Sequence, residues 1–104
     1  MSKIRLGMLG VGPRALSLLP VYAFHEGVEI AAICDLHQRN IDLARERLPW
    51  LSGVKSFLDY DVMTREQPMD ALMITVDPYV QVRFACDAMR RGLHVMTEVP
   101  CALR

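Results

Sequence analysis

A turn built on two glycines constrains this chain more than anything else in it. Gly7-Met8-Leu9-Gly10-Val11-Gly12-Pro13-Arg14-Ala15 follows a short run, Lys3-Ile4-Arg5-Leu6, and opens an apolar one. Such a passage reads as a strand that ends in a tight turn and hands over to a helix. Gly10 allows the sharp turn, Gly12 removes the side chain where a phosphate would approach, and Ala15 is small enough to keep the helix near its strand. Pro13 falls at the first helical position, where an amide has no intrahelical partner and a fixed φ helps the helix to begin. The helix dipole and the first-turn amides then face an incoming anion, and a pyrophosphate fits that description.

A Gly-x-Gly-x-x-Ala string also marks ordinary turns, so its meaning depends on the next strand. Glu29-Ile30-Ala31-Ala32-Ile33-Cys34 reads as that second strand, and it ends in Asp35, 20 positions beyond Ala15. At about that spacing an acid on the tip of the second strand reaches the ribose hydroxyls of a dinucleotide. The plainer alternative for Asp35 is to cap the next helix.

The rest of the chain alternates in the same way. The helix after the glycine turn carries Ala15, Leu16, Leu18, Leu19, Tyr22 and Ala23, apolar nearly all round, which predicts deep packing, with a kink or break at Pro20 and an end at Gly27. His37 to Leu48 sets Ile41, Ala44 and Leu48 on one face, and Pro49 stops it. Val54 to Phe57 reads as a third strand, and Asp59 to Thr64 as a short helix capped by Asp59. Ala71 to Val76 is a buried strand, followed by an Asp77 cap, Pro78 at the first helical position, and Val82, Ala85, Cys86 and Met89 at core-facing spacing. Gly92 closes that helix and Leu93 to Thr97 is a fifth strand. Right-handed crossovers turn this β-α alternation into an α/β, Rossmann-like doubly wound parallel sheet of order 3-2-1-4-5, occupying residues 1–104 as one domain. Gly10, Gly12, Asp35, Asp77 and Glu98 then meet at the carboxyl ends of the strands, where such sheets bind ligands.

Composition excludes several classes. Among 104 residues the net charge is zero, 12 basic against 12 acidic, so nothing marks a nucleic-acid or anionic-membrane surface. No apolar run approaches the length of a membrane span, and Met1 to Arg5 has no signal-peptide pattern. Cys34, Cys86 and Cys101 are odd in number and in no metal-ligand spacing, which fits a reduced, cytoplasmic setting. His25, His37 and His94 are isolated and read as structural, so no metal site and no catalytic residue is assigned.

Together, Gly10-Val11-Gly12-Pro13-Arg14-Ala15, Ala32-Ile33-Cys34-Asp35, Ala71-Leu72-Met73-Ile74-Thr75 and Gly92-Leu93-His94-Val95-Met96-Thr97-Glu98-Val99-Pro100 resemble the amino-terminal domain of the Gfo/Idh/MocA oxidoreductases. That resemblance implies an NAD(P)-binding domain of an enzyme that oxidises or reduces sugars, inositols or related polyols by hydride transfer. It implies also a second, α+β substrate domain that this chain lacks, so the 104 residues are expected to be inactive alone. The family's usual Glu-Lys-Pro reads Glu98-Val99-Pro100 here, as in the branch that resembles the NAD-dependent glycosidases, and Gln81 stands where the family often has histidine. The resemblance places Val76, Asp77, Pro78 and Gln81 along the nicotinamide ribose and gives Glu98 a contact to the same ribose. Arg14 either lies along the pyrophosphate or is solvated, and Arg39 either stacks on adenine or is a plain surface arginine.

The expected cofactor is NAD rather than NADP, because the Asp35 carboxylate repels a 2′-phosphate. A non-enzymatic nucleotide-binding module is the competing class. An edge strand left open past the fifth strand predicts a homo-oligomer.

Overall fold

The computed structural model describes residues 3–23 and 25–97, and in it the alternation becomes five strands and four α-helices. Strands β1 (Ile4–Leu9), β2 (Val28–Cys34), β3 (Lys55–Phe57), β4 (Ala71–Ile74) and β5 (His94–Thr97) form one parallel sheet ordered β3-β2-β1-β4-β5. Helices α1 (Pro13–Ala23), α2 (Gln38–Arg47), α3 (Tyr60–Glu66) and α4 (Pro78–Arg90) join them. The order is the one the sequence predicts, and it puts the carboxyl ends of β1 and β4 side by side at the centre.

Two cores result from the pleat. Leu6 and Met8 of β1, Ile33 of β2 and Ala71 and Met73 of β4 point to one face, where α1 and α2 cover them with Ala15, Leu19, Ile41 and Ala44. Leu9, Ala32, Cys34, Leu72 and Ile74 point to the other, under Tyr60 and Met63 of α3 and Ala85 and Ala88 of α4. Central strands buried on both faces are nearly continuous apolar runs for this reason.

Three expectations are corrected. Helix α1 runs through Pro20 without a break and ends at Ala23, before Gly27. Pro20 lies close to that end, so the bond it forfeits belongs to the last turns, while buried Ala15 and Leu19 hold the helix to the sheet. Its packing is one-sided rather than deep, since Val21 is 67% exposed. On α4 the buried face is Gln81, Ala85 and Ala88, and Val82 and Met89 are turned outward. Small alanines let a helix lie close to the sheet, and that contact outweighs the larger apolar residues in setting the phase. Beyond Pro49 the chain forms a short 3-10 helix, Pro49–Gly53, with Leu51 buried under α2.

Helix ends obey local chemistry. Asp59 accepts from the amides of Asp61 and Val62 and so caps α3, and Asp77 accepts from the Tyr79 amide at the start of α4. Gly92, at φ 87°, takes the left-handed position after α4.

Candidate nucleotide-binding site

The site begins at the β1–α1 turn. Gly10 has φ 94°, and a Cβ there would stand 2.9 Å from both the carbonyl oxygen and Oγ1 of Thr75. Thr75 follows β4 directly; its hydroxyl donates to the Gly10 carbonyl at 3.0 Å and its amide to the Leu9 carbonyl at 2.9 Å. The close approach of two strand ends therefore requires glycine at position 10. Gly12 differs: a Cβ built there meets nothing within 4 Å. The protein gains no packing from a bare backbone at Gly12, and the space beside it is open at the start of α1.

Asp35 ties this turn to the second crossover. It is a buried acid, 8% exposed. The Val11 amide donates to its Oδ2 at 3.0 Å, while the His37 amide and Asn40 Nδ2 donate to Oδ1 at 2.9 and 3.1 Å. The residue at the N-cap of α2 is His37, so Asp35 does not cap that helix. A carboxylate offers about four lone-pair positions. With three occupied, Asp35 is held in place and retains capacity for a further donor such as a hydroxyl.

Around these groups lies a cavity of about 350 Å³. Gly10, Gly12, Asp35, Val76 and Asp77 line it, as their positions at strand ends predict. Sequence reasoning missed the remainder of the lining: Leu9, Cys34, Leu36, His37, Asn40, Tyr60, Thr75, Val80 and Phe84. A signal existed only for Leu9, Cys34, Leu36, Thr75 and Val80, which neighbour predicted positions in the chain. Burial, then the nearby Asp35 and Asp59 charges, push the Cys34 thiol up to about 12, so it serves as an apolar surface.

Other predicted residues stand apart from this cavity. Pro13 borders a smaller cleft between α1 and α2. Arg14 and Arg39 are exposed and outside the main lining, and Gln81 is buried in α4 with 1% exposure. Pro78 begins α4. Glu98, Val99, Pro100 and Cys101 lie outside the described residues.

A glycine turn into a helix, a buried acid on the second strand tip and a cavity at the carboxyl edge of a parallel sheet define a dinucleotide-binding domain. Likeness to known proteins places it more closely. The model of the family described as "Oxidoreductase family, NAD-binding Rossmann fold" matches residues 4–104, and the chain belongs to that family, Gfo/Idh/MocA.

Among curated relatives, "Glycosyl hydrolase family 109 protein 2" of Akkermansia muciniphila is 37% identical over 99% of this chain and 23% of its own length. An "Alpha-N-acetylgalactosaminidase" of Shewanella oneidensis is 33% identical over 99% of this chain and 24% of its own length. This chain thus spans about a quarter of the length of those relatives. Among solved structures, the WlbA dehydrogenase of Bordetella pertussis, in complex with NADH and UDP-GlcNAcA, superposes with a TM-score of 0.89 at 26% identity. That likeness covers 100% of this chain and 30% of the other. Scyllo-inositol dehydrogenase of Lactobacillus casei, at 23% identity and a TM-score of 0.83 over 99% of this chain and 30% of its own, shares the fold.

Proposed function

We propose that the chain binds NAD in this cavity as the cofactor domain of an enzyme acting on a sugar or related polyol. The observation that carries the reading is the open space at Gly12 beside a wired, buried Asp35. A pyrophosphate fits where the Gly12 side chain is absent and the α1 N-terminus faces it, and a ribose hydroxyl fits the remaining capacity of Asp35. Among the described residues the cavity lining holds no lysine or arginine, so phosphate binding falls to backbone amides and the helix dipole. A 2′-phosphate would meet the Asp35 carboxylate with no cation in the lining to offset it, which favours NAD over NADP.

NAD, when bound, supplies the hydride acceptor or donor. The chain's own part is to bind and orient it: the glycine turn receives phosphate, Asp35 fixes ribose, and Val76 and Asp77 border the cavity beyond the end of β4. Pro13, Arg14, Arg39, Pro78 and Gln81, none of which lines the cavity, and Glu98, outside the described residues, are proposed as cofactor contacts on the family resemblance alone. The compartment proposed is the cytoplasm, which suits the free thiols of Cys34 and Cys86. Among the described residues no helix is long and apolar enough to cross a membrane.

Calorimetric titration with NAD and NADP tests the reading. NAD should bind at least about tenfold more tightly, and equal binding would remove the ribose assignment for Asp35.

A second reading is that the whole protein cleaves a glycosidic bond, using the same hydride step transiently. The curated relatives' names and the Glu98-Val99-Pro100 sequence favour it. In that case aglycone release occurs without net NADH, whereas a dehydrogenase accumulates NADH from a polyol. The chain alone should do neither.

A further inference from the structure

Five side chains outside the phosphate turn tie α3 to α4, and three of them, Tyr60, Asp87 and Arg91, close a ring of contacts. The Tyr60 hydroxyl donates to Asp87 Oδ2 at 2.7 Å. Arg91, just after α4, donates from Nε to the same oxygen at 2.7 Å and from its terminal nitrogen to Asp61 Oδ1 at 3.1 Å. The guanidinium carbon also lies 5.7 Å from the centre of the Tyr60 ring, within cation–π range. Tyr60 in turn packs on Phe84, with ring centres 4.9 Å apart and planes inclined at 58°. Tyr60 and Phe84 line the cavity, whereas Asp87 and Arg91 do not.

We propose that Asp87 and Arg91 are positioning residues for the base half of the nucleotide, holding Tyr60 and Phe84 as a rigid wall against which the base lies. The inference rests on the nucleotide reading of the cavity. Within the lining, the β1–α1 turn supplies the phosphate cradle, and α3 and α4 supply the aromatic and apolar surface. Leu36, next to Asp35, and Val80 extend that surface, so a flat base joined to a ribose at Asp35 meets rings and aliphatic groups.

Rigidity has a reason. Helix α3 has 7 residues, too few turns to hold its own shape without tertiary ties. A charge-assisted bond from Tyr60 to Asp87 fixes the ring before ligand arrives, so binding costs less side-chain entropy. Burial, reinforced by Asp87, raises the Tyr60 phenol above its ordinary value and keeps it a neutral donor. The Asp87 carboxyl is held below its ordinary value by the Tyr60 and Arg91 hydrogen bonds and stays an acceptor.

The test compares ADP with inorganic pyrophosphate on the purified chain, following amide and ring resonances by NMR, in Asp87→Leu, Asp87→Asn and the unmodified protein. Asparagine keeps an acceptor for Tyr60 and Arg91, and leucine does not. Asp87→Leu should weaken ADP about three- to tenfold while leaving pyrophosphate unchanged, and Asp87→Asn should recover affinity to within about twofold.

Equal weakening of both ligands, no weakening of ADP, or no recovery by asparagine would overturn the positioning role and leave these residues a staple between helices. Failure of the unmodified chain to bind either ADP or NAD would overturn the nucleotide reading itself, and this inference with it. Should Asp87→Leu fail to fold, the unmodified chain still decides. Tyr60 and Phe84 ring resonances must shift with ADP and not with pyrophosphate, and their silence refutes the wall.

Discussion

Gly10 and Gly12 occupy one turn and have opposite reasons to be glycine. Alanine at 10 must adopt a left-handed conformation and press on the Thr75 carbonyl, so Gly10→Ala should lower stability by at least about 2 kcal/mol in urea denaturation. Alanine at 12 enters open space, so Gly12→Ala should denature like the unmodified protein yet bind NAD at least about tenfold more weakly. Both glycines were legible as a turn, but only the structure shows Thr75 as the reason for the first. Asp35 was legible from spacing, whereas Asn40 was not, because a side-chain bond five residues on leaves no pattern in the sequence. Asp35→Ala strips an acceptor from the Val11 and His37 amides and from Asn40. It should cost about 1–3 kcal/mol of stability and narrow the preference for NAD over NADP in parallel titrations.

Elements followed the sequence where local chemistry decides and departed from it where packing does. Asp59 was readable as a cap because its side chain serves its own neighbours, and Asp59→Ala should remove about 1 kcal/mol from the unfolding free energy. Pro20 was readable as a disturbance but not as a tolerated one. Since it sits inside α1 without a break, Pro20→Ala should raise the thermal midpoint by restoring a hydrogen bond, a gain of about 1 kcal/mol or more. The 3-10 helix after Pro49 was not readable at all. It depends on Leu51 filling space under α2 and on Arg45 donating to the Val54 carbonyl at 2.9 Å, both tertiary facts. The face of α4 shows the same limit: spacing selected Val82, Ala85, Cys86 and Met89, whereas contact with the sheet keeps Ala85, turns Val82 and Met89 outward and buries Gln81 and Ala88. Tyr60 and Phe84 entered the site by that route too, from helices whose phases a single sequence leaves open.

Across the whole molecule, two carboxylates link parts far apart in the chain. Asp70 accepts from the Arg5 side chain and amide, joining the start of β1 to the approach to β4, and Asp87 joins α3 to α4. Hydrogen bonds hold both below their ordinary value of 3.8, so they bind protons more weakly folded than unfolded. Their contribution is present above that value and is lost as the pH falls through the depressed folded values. Urea midpoints measured downward from about pH 5 should therefore fall, and less steeply in Asp87→Asn.

The outward face of α4 has the larger consequence. Tyr79 is 75% and Met89 56% exposed, with Val82 between them along the helix. Among the described residues β5 pairs only with β4, so its other edge offers open backbone groups beside that apolar stripe. A two-fold pairing buries the same patch on both copies and closes the edge at once. Light scattering should find a dimer at micromolar concentration, and a monomer there would show that the edge and stripe are tolerated. Replacing Val82 and Met89 with lysine places like charges across that interface, and should give a monomer with little change in unfolding free energy because neither side chain is buried.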